Sequence, residues 1–142
     1  PPAAPLHEAR RLLDTVGWAA VLPQMLASLG ALFALAGVGQ VVAELTTRWV
    51  PLETPLAAVA AYGIGMALLT MLMGNAFAAF PVMTAGIALP LIVGRFGGDP
   101  VVISAIGMLA GFCGPLMSPM AANFNLVPVA LLELPDENAV IK

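Results

Sequence analysis

Three stretches of this sequence carry no charged residue: 29 residues between Asp14 and Glu44, 41 between Glu53 and Arg95, and 33 between Asp99 and Glu133. A helix crosses the hydrocarbon core of a bilayer with about 20 residues, so each stretch is long enough to do so. Soluble helices of that length need a polar outer face, and Ser, Thr and Asn are too sparse here to make one. Composition agrees: 61% of residues are hydrophobic and 9% charged, against roughly 45–50% and 25% in soluble domains. The sequence predicts an all-α membrane protein, with the lipid bilayer as its first partner.

The remaining composition excludes several functions. Net charge is −3 with no basic patch, which argues against nucleic acid. The single Cys113 allows neither an internal disulfide nor a cysteine metal cluster. The apolar stretches hold no His or Lys to serve as a protease base. One His, His7, cannot make a zinc-protease H-E-x-x-H pair. No enzyme and no resident cofactor is expected.

Along the chain, residues 1–15 read as a linker (Pro1 to Pro5) and a short interfacial helix, Leu6–Asp14. The opening prolines and the missing initiator Met suggest a piece of a longer protein. Residues 16–45 read as a membrane span between Trp18 and Trp49. These tryptophans lie 31 residues, or about 46 Å, apart, and Trp favours the membrane interface. Pro23, Gly30, Gly37 and Gly39 suggest that this span is bent and closely packed.

Thr54-Pro55 reads as a cap followed by a helical first position. A straight helix over residues 56–94 would measure about 58 Å, nearly twice the hydrocarbon core. A break at Gly74-Asn75-Ala76-Phe77 is therefore expected, giving a kink or a re-entrant hairpin with its tip at residues 74–77. Asp99-Pro100 opens a third segment, residues 100–132. Gly114, Pro115 and Pro119 are expected to unwind it between Gly114 and Asn123, because each proline removes a helical N–H. Ser118, Asn123 and Asn125 lie in or after that break, and mid-membrane Asn is functional by default. Residues 133–142 form a polar connector.

Two interrupted segments joined by a short turn suit a secondary transporter, whose broken helices build a site near the midplane. Thr70-Met71-Leu72-Met73-Gly74-Asn75-Ala76, with Pro81 beyond, resembles the hairpin tip T-E-F-x-S-N-T of the ion-transporter superfamily. Met117-Ser118-Pro119-Met120-Ala121-Ala122-Asn123-Phe124-Asn125 resembles its unwound M-L-P-x-A-T-P-P-N. The runs Gly74 to Gly86, Ala110 to Gly114 and Pro119 to Asn125 are similar to the larger membrane subunit of the bacterial 5-oxoproline (pyroglutamate) transporter. That resemblance covers nearly the whole chain and corresponds to the C-terminal half of the subunit. It implies one half of a transporter fold in the bacterial inner membrane, multi-pass, with a smaller membrane subunit as partner and a further span after Lys142. Gly74 and Ala76 stand where the symporters have Ser and Thr, whose hydroxyls serve dicarboxylate and sodium there. Neither property is carried over.

The chemistry of these residues suits a small monoanionic carboxylate. Helix starts after Asn75 and near Pro119 would present N–H groups and partial positive charge. Gly74, Asn75, Ala76, Phe77, Ser118, Asn123 and Asn125 are the expected binding residues, with Asn75 and Asn125 in one pocket within about 10 Å of each other. The asparagine amides could pair a lactam, and Phe77, Phe80, Phe124 and Met117 could cover its ring. Carbonyls at the inward helix ends would suit a coupling cation, sodium or proton. An alternative reading is a non-transporting scaffold subunit that holds a partner permease, and an oligomer is compatible with either. Arg10, Arg11 and Lys142 against Arg48 and Arg95 lean toward cytoplasmic termini.

Overall fold

Thr54 Oγ1 accepts the Ala57 N–H at 3.2 Å and Pro55 fills the first helical position, opening α3, Pro55–Met73. Asp99 Oδ1 accepts the N–H groups of Val101 and Val102 at 2.8 and 3.2 Å, opening α5, Pro100–Leu116. Such caps satisfy N–H groups that have no intrahelical acceptor. Asp99→Ala is expected to lower stability by about 1 kcal/mol, seen as earlier thermal unfolding in detergent.

The structure is a computed structural model that describes residues 3–49 and 51–141. Pro1 and Pro2 of the expected linker, and Lys142, lie outside the described residues, as does the Pro23 side chain. The described residues are all helical or irregular, without a strand. The elements in order are α1 (Ala4–Leu35), α2 (Val38–Trp49), α3, α4 (Ala76–Met83), the π-helix π1 (Thr84–Arg95), α5, the π-helical turn π2 (Ala122–Leu126) and α6 (Val127–Leu131). Among the described residues two helices are long and apolar enough to cross a membrane: Pro55–Met73, mean hydropathy 2.0, and Ala76–Arg95, mean hydropathy 2.1. The bent pair α1–α2 makes a third if counted as one span.

The first segment departs from the sequence reading twice. No separate interfacial helix precedes the span, because α1 runs unbroken from Ala4 through Leu35. Pro5 falls in its first turn, where a missing N–H is harmless. The charged part is held helical by pairs across one turn, Arg11 with Glu8 at 2.7 Å and Arg10 with Asp14 at 3.6 Å. The Arg11 hydrogen bond keeps the Glu8 carboxyl below its usual range. The expected span 16–45 is then interrupted. Ala36 and Gly37 separate α1 from α2, and Gln24–Leu35 and Val38–Trp49 meet at 68°. Gly37 makes the bend with φ +73°, a left-handed conformation that ends helices.

α3 and the α4–π1 arm form an antiparallel hairpin. Tyr62 Oη and Thr84 Oγ1 share a hydrogen bond at 3.1 Å, and Arg95 donates to the Leu52 carbonyl at 3.5 Å at the base. The core lies between the arms: Ala58, Tyr62 and Met66 of α3 pack with Ala79, Met83 and Ile87. α5 runs parallel to α3. Gly107 meets the Tyr62 ring, Gly111 meets Met66, and Gly114 meets Thr70 and the α3 backbone. The first two pairs are 45 residues apart in number and the third 44, so one small-residue face of α5 tracks one face of α3 (107−62, 111−66, 114−70). Small residues allow this backbone approach in membrane helices. On the other side, Gly30 of α1 faces the Phe77 carbonyl and Gly39 of α2 faces the Val82 carbonyl.

The two breaks are tighter than the sequence predicts. Only Gly74 (φ +70°) and Asn75 (extended) are non-helical at the hairpin tip, since Ala76 and Phe77 already belong to α4. In the third segment Gly114 and Pro115 remain inside α5, so unwinding is confined to Met117–Ala121, and Asn123 and Asn125 lie in π2. Pro115 lies within the last turn of α5, and the ladder is lost around Pro119 instead.

Candidate functional site

The tip of the hairpin and the break after α5 touch. A Cβ on Gly74 would lie 2.6 Å from the Met120 carbonyl oxygen. Around this contact is a cavity of about 170 Å³, lined by Leu22 and Leu26 of α1, Met73, Gly74, Asn75 and Phe77 at the tip, and Met120, Ala122 and Asn123 beyond the break. No charged residue lines it. A larger concavity of about 700 Å³ lies between α2 and α3, but its walls are almost wholly aliphatic, among them Leu45, Ala57, Ala61, Gly65 and Leu68. Fixing an orientation takes convergent polar groups, which only the smaller cavity offers.

Two helix starts face that cavity. α4 begins at Ala76, and the ten-residue helical stretch Ala122–Leu131 begins at its far wall. The first turn of each leaves N–H groups without intrahelical acceptors and carries partial positive charge. The convergence follows from local sequence. Gly74 takes the left-handed turn, Asn75 caps α4 by accepting the Ala78 N–H at 3.1 Å, and Pro119 stops α5 so that a new helix starts at Ala122.

The expected binding residues divide. Gly74, Asn75, Phe77 and Asn123 line the cavity. Asn75 is already engaged, since its Nδ2 also donates to the Met73 carbonyl at 3.1 Å. One amide hydrogen and one lone pair are left to it. Asn123 is exposed and makes no side-chain hydrogen bond among the described residues. Ala76 is buried against Gly111. Ser118 is buried, and its Oγ accepts the Met120 N–H at 3.3 Å.

Asn125 does not line the cavity, contrary to the expectation of a pocket shared with Asn75. Its buried Nδ2 donates to the carbonyls of Ser118 and Pro115. Each of these carbonyls also accepts a backbone N–H, Pro115 from Ser118 and Ser118 from Ala121, both at 3.2 Å, and the amide adds a second bond to each. The helix-end carbonyls expected to suit a cation are thus taken at this break by Asn125. Thr70 is likewise inward, donating to the Ala67 carbonyl at 3.0 Å. Of the expected ring-covering residues, Phe77 alone lines the cavity. Phe124 packs edge-on to Phe112 with centroids 6.1 Å apart, Phe80 packs against the core, and Met117 is exposed.

Sequence reasoning missed Leu22, Leu26, Met73, Met120 and Ala122. Met73, Met120 and Ala122 flank the two breaks and could have been included on that ground. The leucines carry one faint signal: Leu22, Leu26 and Gly30 repeat every four residues, one stripe of a helix.

The whole chain, residues 1–142, matches the model of the family described as "Protein of unknown function (DUF979)". The chain belongs to this family. No curated protein and no solved structure matches it. In this DUF979 chain, the small cavity between the two helix breaks joins two helix starts to two asparagines.

Proposed function

We propose that this chain is part of a multi-pass secondary transporter of the bacterial inner membrane that moves a small carboxylate, 5-oxoproline in the first instance, by alternating access. The observation that carries the reading is the meeting of two helix starts on one small, charge-free cavity with amides in its wall. A carboxylate there is held by N–H groups and dipoles without a buried cation. The resemblance to the 5-oxoproline transporter subunit supplies the ring and the smaller partner subunit.

The levels of the chain support a re-entrant hairpin. Its arms, 19 and 20 residues, rise about 28–30 Å from the base at Glu53 and Arg95 to the tip. The chain continues past the tip on both sides. α1 runs on from Leu26 to Trp18, about 12 Å, and residues 122–133 span about 16 Å before Glu133 meets Arg11 at 3.0 Å. Together these lengths approach the 40–45 Å of a bilayer with its headgroups. The tip lies below the level that α1 and residues 122–133 reach, and its irregular backbone is covered by α1 and the α5 break, as backbone at membrane depth requires.

Uptake of labelled 5-oxoproline into vesicles holding the full-length protein and the smaller subunit tests the reading. Saturable uptake above empty vesicles is expected; none at any imposed sodium or proton gradient overturns it. One observation favours the scaffold alternative. The aliphatic concavity between α2 and α3 would seat a partner's helix. In that case the partner subunit co-purifies with this chain, yet Asn123→Ala leaves the complex's transport unchanged.

A further inference from the structure

Every expected binding residue belongs to the hairpin tip or the α5 break, yet one wall of the cavity comes from neither. Leu22 and Leu26 of α1 close it. Their position follows from Gly30. A Cβ on Gly30 would stand 2.9 Å from the Phe77 carbonyl and 3.2 Å from the Ala78 Cα, so the bare glycine seats α1 directly on the first turn of α4. Leu26 and Leu22 lie one and two turns further along the same stripe. That contact brings both side chains to the cavity at the tip, which Asn123 also lines.

The backbone of the tip is tied down. Gly74 abuts the Met120 carbonyl, Asn75 caps α4, and Ala76 abuts Gly111. The α1 side chains are only half-buried and their wall is aliphatic. The cavity thus draws its polar groups from the two helix starts and the asparagines, beside Met73, Phe77 and Met120, and its α1 wall is wholly aliphatic.

We propose that Leu22 and Leu26 set the size limit of the ligand, so that the site takes a small molecule with one carboxylate or amide edge and one face of bare methylenes. The inference rests on the transport reading and adds specificity-determining residues from an otherwise plain membrane helix. Leu26 is the nearer to the Gly30 contact, and truncating it opens the aliphatic wall while the polar groups stay in place. One methylene more or less in an apolar pocket is worth about 10–200-fold in selectivity.

The test compares vesicle uptake of 5-oxoproline with that of its six-membered-ring homologue, one methylene larger, using the full-length protein and partner subunit. Wild type should prefer 5-oxoproline by at least about tenfold, and Leu26→Ala should erase most of that preference. Leu26→Phe should lower 5-oxoproline uptake itself, and Leu26→Met, which conserves volume, should keep the preference. If Leu26→Ala does not fold, Leu22→Ala and Leu26→Phe carry the comparison. Wild-type uptake with the same ratio in all folded variants overturns the inference alone. No wild-type uptake of either compound overturns the transport reading, and the inference with it.

Discussion

Gly74→Val should be among the most damaging single substitutions in this chain. Gly74 sits at φ +70°, where a β-branched residue is a genuine outlier, and the strain alone costs about 1–3 kcal/mol. Its Cβ would also stand 2.6 Å from a main-chain oxygen, that of Met120, which no rotamer change can move away. Relief requires the hairpin tip and the α5 break to separate, which pulls the two helix starts apart. The expected outcome is a large drop in thermal stability in detergent and complete loss of uptake. Gly17→Ala is the matched control. Gly17 is inside α1 with nothing within 4 Å of an added Cβ. Alanine there should be neutral or stabilise by up to about 1 kcal/mol. If Gly74→Val melts no earlier than Gly17→Ala, the tip is not held against the break.

The coarse architecture is legible because the bilayer makes it so. Charge-free runs locate the apolar segments, Thr54-Pro55 and Asp99-Pro100 state where two helices begin, and the excess length of residues 56–94 demands a break. What stays hidden is decided by tertiary contact. Gly30, Gly37 and Gly39 look alike in sequence, yet Gly37 alone takes a positive φ and bends the chain, while the other two admit a neighbouring backbone. Pro115 and Pro119 look alike as well, but Pro115 rides in the last turn of α5 and Pro119 falls in the break. Nothing between Asp14 and Val16 forces a helix to stop, so the charged turn and the span became one helix.

At the site, the residues singled out by type divide between the wall of the cavity and the packing of the break. Asn75 and Asn125 are covered polar groups in an apolar setting and find partners, whereas Asn123 is exposed. Asn75 spends most of its capacity on its own cap and on Met73. That gives a graded expectation. Asn75→Ala should lose about 1 kcal/mol of stability with the cap as well as uptake, whereas Asn75→Asp keeps the cap and places a negative charge where a carboxylate would bind. The leucines of α1 had no such chemistry to draw attention to them. They reach the cavity because Gly30 admits the α4 backbone, a long-range contact.

Asn123 and Asn125, two residues apart, should give opposite phenotypes. Asn125 is buried, and its amide ties the Ser118 and Pro115 carbonyls of the break, each of which also accepts a backbone N–H. Asn125→Ala removes both amide bonds while each carbonyl keeps its backbone N–H, from Ser118 and Ala121, so the loss is about 0.5–1.5 kcal/mol per hydrogen bond. The variant should fold but unfold several degrees earlier than wild type. Asn123 is exposed and makes no side-chain hydrogen bond among the described residues, so Asn123→Ala should change stability by no more than about 0.5 kcal/mol. Yet it faces the cavity between the two helix starts. Losing one hydrogen bond to a charged ligand is worth about 1.5–3 kcal/mol, or roughly a ten- to hundredfold fall in uptake. Melting curves and initial uptake rates per folded molecule separate the two effects. A stable, inactive Asn125→Ala beside an unstable, active Asn123→Ala would reverse the assignment and move the polar edge of the site beneath the break.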